Sequence, residues 1–142
     1  MSASFSTIGI AIVLFLLLGL GACQHPKPLL SWGAGGGFTG TQHGYTAYSN
    51  GTVETWTQHI GQPRQLQQSW KLNPAQQQTL QSIYQQLQAL SPYLKPANYT
   101  HFITLYTLQD TLYWAWGPAD TQAIAQTLQT LYELLNRELK RP

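Results

Sequence analysis

Apolar and polar positions divide the chain into distinct regimes. A block from Ile8 to Leu20 carries no charge; from Leu30 to Leu72 aromatic and β-branched residues alternate with polar ones; beyond Asn73 two leucine stripes enclose a second alternating segment. Leu30-Ser31-Trp32 leads into the glycine-rich stretch Gly33 to Gly40, which Phe38 interrupts. Tyr45-Thr46-Ala47-Tyr48-Ser49 and Thr52-Val53-Glu54-Thr55-Trp56 flank Asn50-Gly51. That pattern predicts a type I′ hairpin, because both central residues of such a turn need positive φ. In its register Tyr48 faces Val53 and Tyr45 faces Trp56, pairs that stabilise a sheet. After Gly61-Gln62-Pro63 a further strand runs from Gln65 toward Leu72, with an imperfect alternation of Leu66, Gln68, Trp70 and Leu72.

Asn73-Pro74 predicts a helix start, with Asn as N-cap and Pro at the first helical position, where its missing N–H costs nothing. Leu80, Ile83, Tyr84, Leu87 and Leu90 recur at helical spacing, and Ser91-Pro92 closes the element. His101 to Leu108 and Thr111 to Trp116 read as a strand pair reversing near Gln109-Asp110. Gly117-Pro118 then opens a second helix whose buried stripe is Ile124, Leu128, Leu131, Leu135 and Leu139, with Arg137, Lys140 and Arg141 complementing its dipole. These stripes are too short for a coiled coil, which needs several sustained heptads, so core packing is expected. The order β-β-β-α-β-β-α implies an α+β fold, a small antiparallel sheet with both helices on one face.

Only 8% of the 142 residues are charged, and the net charge is +2. The seven basic residues are dispersed, which argues against a nucleic-acid footprint. Polarity comes from Gln, Thr, Ser and Asn, and a neutral surface rich in Tyr and Trp suits contact with another protein or a sugar.

Leu20-Gly21-Ala22-Cys23 closes the first apolar block and contains the only cysteine. It resembles the lipobox of bacterial lipoproteins, which implies cleavage before Cys23, lipidation of its sulfur, and a membrane partner reached through the lipid anchor. The block is short for a membrane span of about 20 residues and has the form of a secretory signal. An uncleaved membrane helix from Phe5 to Ala22 is the alternative. The division expected is therefore a signal peptide over 1–22, lipidated Cys23 and a Pro26/Pro28 tether over 23–29, and one α+β domain over 30–142. Gln24 rather than Asp after the cysteine implies, by the same resemblance, the outer membrane of the cell envelope.

Catalytic equipment is sparse. The five carboxylates are Glu54, Asp110, Asp120, Glu133 and Glu138, and nothing in their spacing pairs two of them. His43 and His59 fall near the open end of one ladder, but two histidines without a nearby carboxylate make an incomplete zinc site. The glycine stretch lacks the ending of a phosphate loop. No enzyme activity, no metal site and no cofactor are expected.

Gly36-Gly37-Phe38-Thr39-Gly40 can be a bent strand with Phe38 packed inward, or a binding loop with Phe38 as an apolar anchor. This segment, with the helix bearing Leu80 and Leu87, the Tyr99 to Leu108 strand and the terminal leucine-rich helix, resembles emfourin, a family of small bacterial inhibitors of protealysin-like metallopeptidases of the thermolysin family. The resemblance implies a partner that is an envelope or secreted protein, with Gly36, Gly37, Phe38, Thr39 and Gly40 as the contact. The alternative is a structural or assembly lipoprotein that docks a larger envelope complex through an aromatic surface containing Trp32, Trp56, Trp70, Trp114 and Trp116.

Overall fold

The computed structural model describes residues 25–141. The block Ile8 to Leu20 and the lipobox with Cys23 lie outside the described residues. Within 25–141 no helix is long and apolar enough to cross a membrane.

The chain runs β1 (Pro28–Gly36), a 3-10 turn (Gly37–Thr39), β2 (Thr41–Tyr48), β3 (Thr52–His59), β4 (Gln65–Lys71), α1 (Pro74–Gln88), β5 (Tyr93–Lys95), β6 (Tyr99–Tyr106), β7 (Thr111–Trp116) and α2 (Ala123–Glu138). The α+β class holds. The sheet is larger than the sequence pattern suggested, with seven strands in the order β4-β3-β2-β1-β6-β7-β5. All pairings are antiparallel except β5 with β7. The short β5 was not anticipated, because three residues of Tyr-Leu-Lys show no alternation long enough to register.

The other surplus strand is β1, which occupies the middle of the sheet between β2 and β6. Gly33 on this strand and Gly44 beside it on β2 leave room for two large rings. A Cβ on Gly33 would meet Phe102 Cζ at 2.8 Å and the His43 carbonyl oxygen at 2.2 Å; a Cβ on Gly44, the Gly33 partner on β2, would meet Trp56 Cζ2 at 2.5 Å. Glycine in this strand marks a close approach across the sheet. The register sets Leu66, Trp56, Gly44, Gly33, Phe102, Ala115 and Leu94 in one cross-strand row through all seven strands. Trp56 and Phe102 stack along it with centroids 6.0 Å apart, and the Arg64 guanidinium lies 4.0 Å from the Trp56 ring centroid.

The opposite face carries both helices. Leu30, Trp32, Ala47, Val53, Ile103, Leu105, Trp114 and Trp116 from the strands pack with Leu80, Ile83 and Leu87 of α1 and with Leu128, Leu131 and Leu135 of α2 in one continuous core. At α1 the capping box forms: Gln76 N–H donates to Asn73 Oδ1 at 2.8 Å, and Asn73 N–H donates to Gln76 Oε1 at 3.0 Å. Gln76 Nε2 also donates to the carbonyls of Glu138 and Lys140, at 3.0 and 3.1 Å. One side chain thus serves the start of α1 and the end of α2.

Two local expectations are corrected and one irregularity is explained. The β2–β3 connection is not a two-residue type I′ turn, since Asn50 keeps negative φ and only Gly51 is left-handed, at φ 78°. Gly51 N–H donates to the Tyr48 carbonyl at 3.0 Å, and the register pairs Ala47 with Val53 and Gly44 with Trp56. This is the three-residue hairpin with glycine at the left-handed position. The one-residue slip sends Val53 to the helix side and Trp56 to the other. On β4, Gln67 and Gln68 together span one step of β3, so Leu66 pairs with Trp56 while Trp70 pairs with Val53. That bulge is why the alternation looked imperfect. Finally, α2 begins at Ala123 rather than at Gly117-Pro118, because Asp120 is held by Tyr93 and the Gln122 N–H in a turn that precedes the helix.

Candidate functional site

The segment Gly36 to Gly40 is the β1–β2 connection, at one end of the two central strands. Gly36 sits at φ 114°, Gly37 at φ 70° and Gly40 at φ 57°, all conformations that residues with a Cβ rarely adopt. Gly37 N–H donates to the Asn98 carbonyl oxygen at 2.5 Å, and Ile60 N–H donates to the Gly40 carbonyl at 3.2 Å. The connection is therefore fastened on one side to the start of β6 and on the other to the β3–β4 turn. Phe38 does not pack inward. Its relative exposure of 112% places the whole ring in solvent at the tip. Ile60, 83% exposed, covers Gly40: a Cβ there would lie 2.3 Å from Ile60 Cδ1.

His43 and His59 lie on the same face of the β2–β3 ladder, each matched with a threonine. His43 Nδ1 shares a hydrogen bond with Thr57 Oγ1 at 3.0 Å, and His59 Nδ1 shares one with Thr41 Oγ1 at 2.9 Å. Among the described residues no group of three or more His, Cys, Asp or Glu side chains could hold a metal ion. Glu54 on β3 accepts from the Tyr48 hydroxyl at 2.7 Å, whereas Asp110 sits in the β6–β7 turn. β3 and β7 are four strand spacings apart, about 19 Å at ~4.8 Å each, so these two carboxylates do not form a pair. Burial and the hydrogen bond to Glu54 push the Tyr48 hydroxyl up to about 12.

A second feature was not anticipated. Where α2 leaves the sheet, an open cleft of about 380 Å³ lies between the helix and β1–β3. Its lining includes His43, Tyr45, Gln67, Tyr99, Tyr132 and Asn136. Tyr45 stacks on Trp32 with centroids 5.1 Å apart, and Tyr132 stacks on His101 at 4.4 Å. Trp32 Nε1 donates to Asn136 Oδ1 at 3.2 Å, which fixes the orientation of the amide. Burial pushes the Tyr132 hydroxyl above its ordinary range. The i, i+4 spacing of Tyr132 and Asn136 was the available signal, but it is masked in the sequence by the stronger leucine stripe beside it.

Beyond Tyr99 the cleft gives way to a concavity of about 520 Å³ lined by Lys95, Pro96, Tyr99, Pro118 and Asp120. Tyr93 donates to Asp120 Oδ2 at 2.7 Å and Lys95 Nζ lies 3.6 Å from the same oxygen. The Tyr93 hydroxyl bond and the Gln122 N–H hold the Asp120 carboxyl below the usual range, with Lys95 adding to the effect. Desolvation and the bond to Asp120 push the Tyr93 hydroxyl up to about 12.

Compared with known proteins, the chain matches no family model and no curated sequence.

Proposed function

We propose that this chain is a bacterial cell-envelope lipoprotein, anchored through lipid on Cys23 in the outer membrane, whose α+β domain binds another protein through the β1–β2 connection. Inhibition of a thermolysin-family metallopeptidase is its most concrete form, by the resemblance of Gly36-Gly37-Phe38-Thr39-Gly40 to emfourin. The observation that carries this reading is the full exposure of Phe38 on a connection fastened by Gly37 to Asn98. A large apolar side chain held out on a short, tied loop loses little conformational freedom on binding, and such anchors dominate interface energetics. In mechanism, Phe38 fills an apolar subsite while the carbonyls of the connection stand where substrate carbonyls would.

The alternative, docking of a larger envelope complex through the tryptophans, has less to support it. Trp32, Trp56, Trp114 and Trp116 are buried and Trp70 is half-buried, so none offers an exposed ring.

The test is a pull-down from detergent-solubilised envelope with the full chain and its Phe38→Ala variant, with mass spectrometry of the retained proteins and assay of any captured metallopeptidase. A peptidase captured and inhibited by the full chain and released by the variant supports the reading. Identical sets of retained proteins would assign the connection a purely structural part.

A further inference from the structure

We infer that the cleft between α2 and β1–β3 is a binding site for a neutral saccharide. At about 380 Å³ its size lies within the range of small-molecule sites, roughly 300–1,000 Å³. No Lys, Arg, Asp or Glu lines it. A charged ligand entering it would lose hydration without gaining a counter-charge, which is costly. The lining is instead His43, Gln67, Asn136, Thr55 and Thr57 together with the rings of Tyr45, Tyr99 and Tyr132.

That combination matches the chemistry of a sugar. Each hydroxyl of a pyranose both donates and accepts, and Asn, Gln, His and Thr side chains do the same. The C–H face of the ring is apolar and packs on the face of an aromatic side chain. The polar groups here are already oriented: His43 is held through Nδ1 by Thr57, which fixes the direction of its other ring nitrogen, and Asn136 is held through Oδ1 by Trp32. Tyr132 is likewise held, stacked on His101. Pre-orientation of this kind lowers the entropic cost of binding. An uncharged peptide is the competing ligand, and the site suits it less. An extended peptide that adds to a sheet does so through main-chain hydrogen bonds along a free edge. The floor of this cleft is the face of β1, β2 and β3, and each of these strands is paired on both sides.

The inference does not depend on the protein-binding reading, because Phe38 does not line the cleft. The full chain, in a detergent without a sugar headgroup, would be titrated with triacetylchitotriose, maltotriose and lactose by NMR shift mapping and calorimetry. Glucose 6-phosphate and an uncharged tripeptide amide serve as controls. At least one neutral sugar should saturate with shifts at Tyr45, Tyr99 and Tyr132, and His43→Ala with Gln67→Ala should weaken it about tenfold or more. Both of those side chains are exposed, so the double variant retains its fold, and Phe38→Ala should bind the sugar as the parent does. Absence of saturable binding by any of the three sugars would overturn the inference. So would equal binding of the phosphorylated sugar, preferential binding of the peptide, or an affinity indifferent to the double variant.

Discussion

Gly37 donates its amide hydrogen to the carbonyl oxygen of Asn98 at 2.5 Å, joining the tip of the β1–β2 connection to the residue that precedes β6. The bond requires the chain to turn through Gly36 at φ 114°, where a Cβ would lie 2.6 Å from the same Asn98 oxygen. Gly36→Ala therefore combines a forbidden dihedral with a backbone clash, and the expected loss of stability is about 1–3 kcal/mol or more. Gly61→Ala provides the comparison: its φ is 73°, but no atom lies within 4 Å of the added Cβ. It should cost only the left-handed strain, about 1 kcal/mol. Urea denaturation of both variants would test the ordering, and equal losses would contradict it.

Phe38 contributes nothing to the core, so Phe38→Ala should change stability by no more than about 0.5 kcal/mol. Thermal unfolding checks this. A larger loss would mean that the ring packs on the protein and is not free for a partner.

Asn136 accepts the only hydrogen bond made by the Trp32 indole, which is 1% exposed. Asn136→Leu leaves that N–H buried without a partner and should cost roughly 1–3 kcal/mol. Trp32→Phe in the same chain removes the orphaned donor, so the two changes together should cost less than their sum. A double-mutant cycle by chemical denaturation measures the coupling; strict additivity would show that the bond contributes nothing.

Stability should fall at both ends of the pH scale for identifiable reasons. Tyr48 and Tyr93 are raised from 10.0 to about 12 in the folded protein. Between those values the unfolded chain loses phenolic protons that the folded chain keeps bound. Their contribution is thus complete below pH 10 and lost as pH rises toward 12. Asp120 is lowered from 3.8, so its contribution is present above that value and disappears as pH falls through the lower folded value. Tyr93→Phe should flatten part of both arms, since Tyr93 bonds directly to Asp120. Unfolding midpoints measured across pH would show it.

Much of the architecture was legible because strong local rules agreed with it. Asn73-Pro74 set the start of α1, and the two leucine stripes supplied the helix surfaces that are buried. What escaped were features decided across the sheet. Nothing local announces that Gly33 and Gly44 make room for Phe102 and Trp56, so the glycine-rich stretch does not declare itself as a central strand. Asn50-Gly51 suits two kinds of hairpin, and the deciding contacts come from outside it: Leu72 N–H donates to the Gly51 carbonyl and Lys71 Nζ to the Asn50 carbonyl. Phe38 stands out in its segment, but its outward position depends on the positive φ of Gly36 and Gly37 before it and of Gly40 after it. The cleft was not foreseen, since its residues come from six separate elements and form no sequence motif.

The position of β1 has a mechanical consequence. The first strand of the chain is also the middle strand of the sheet, antiparallel to both neighbours. A pull on the residues before Pro28 along the strand loads the ladders to β2 and β6 together, in shear, so that many hydrogen bonds must fail at once rather than one after another. Load applied from the other terminus meets α2 first, which can peel from the sheet turn by turn. Tension between the N-terminal side and the β1–β2 connection is therefore carried across both ladders of the central strand.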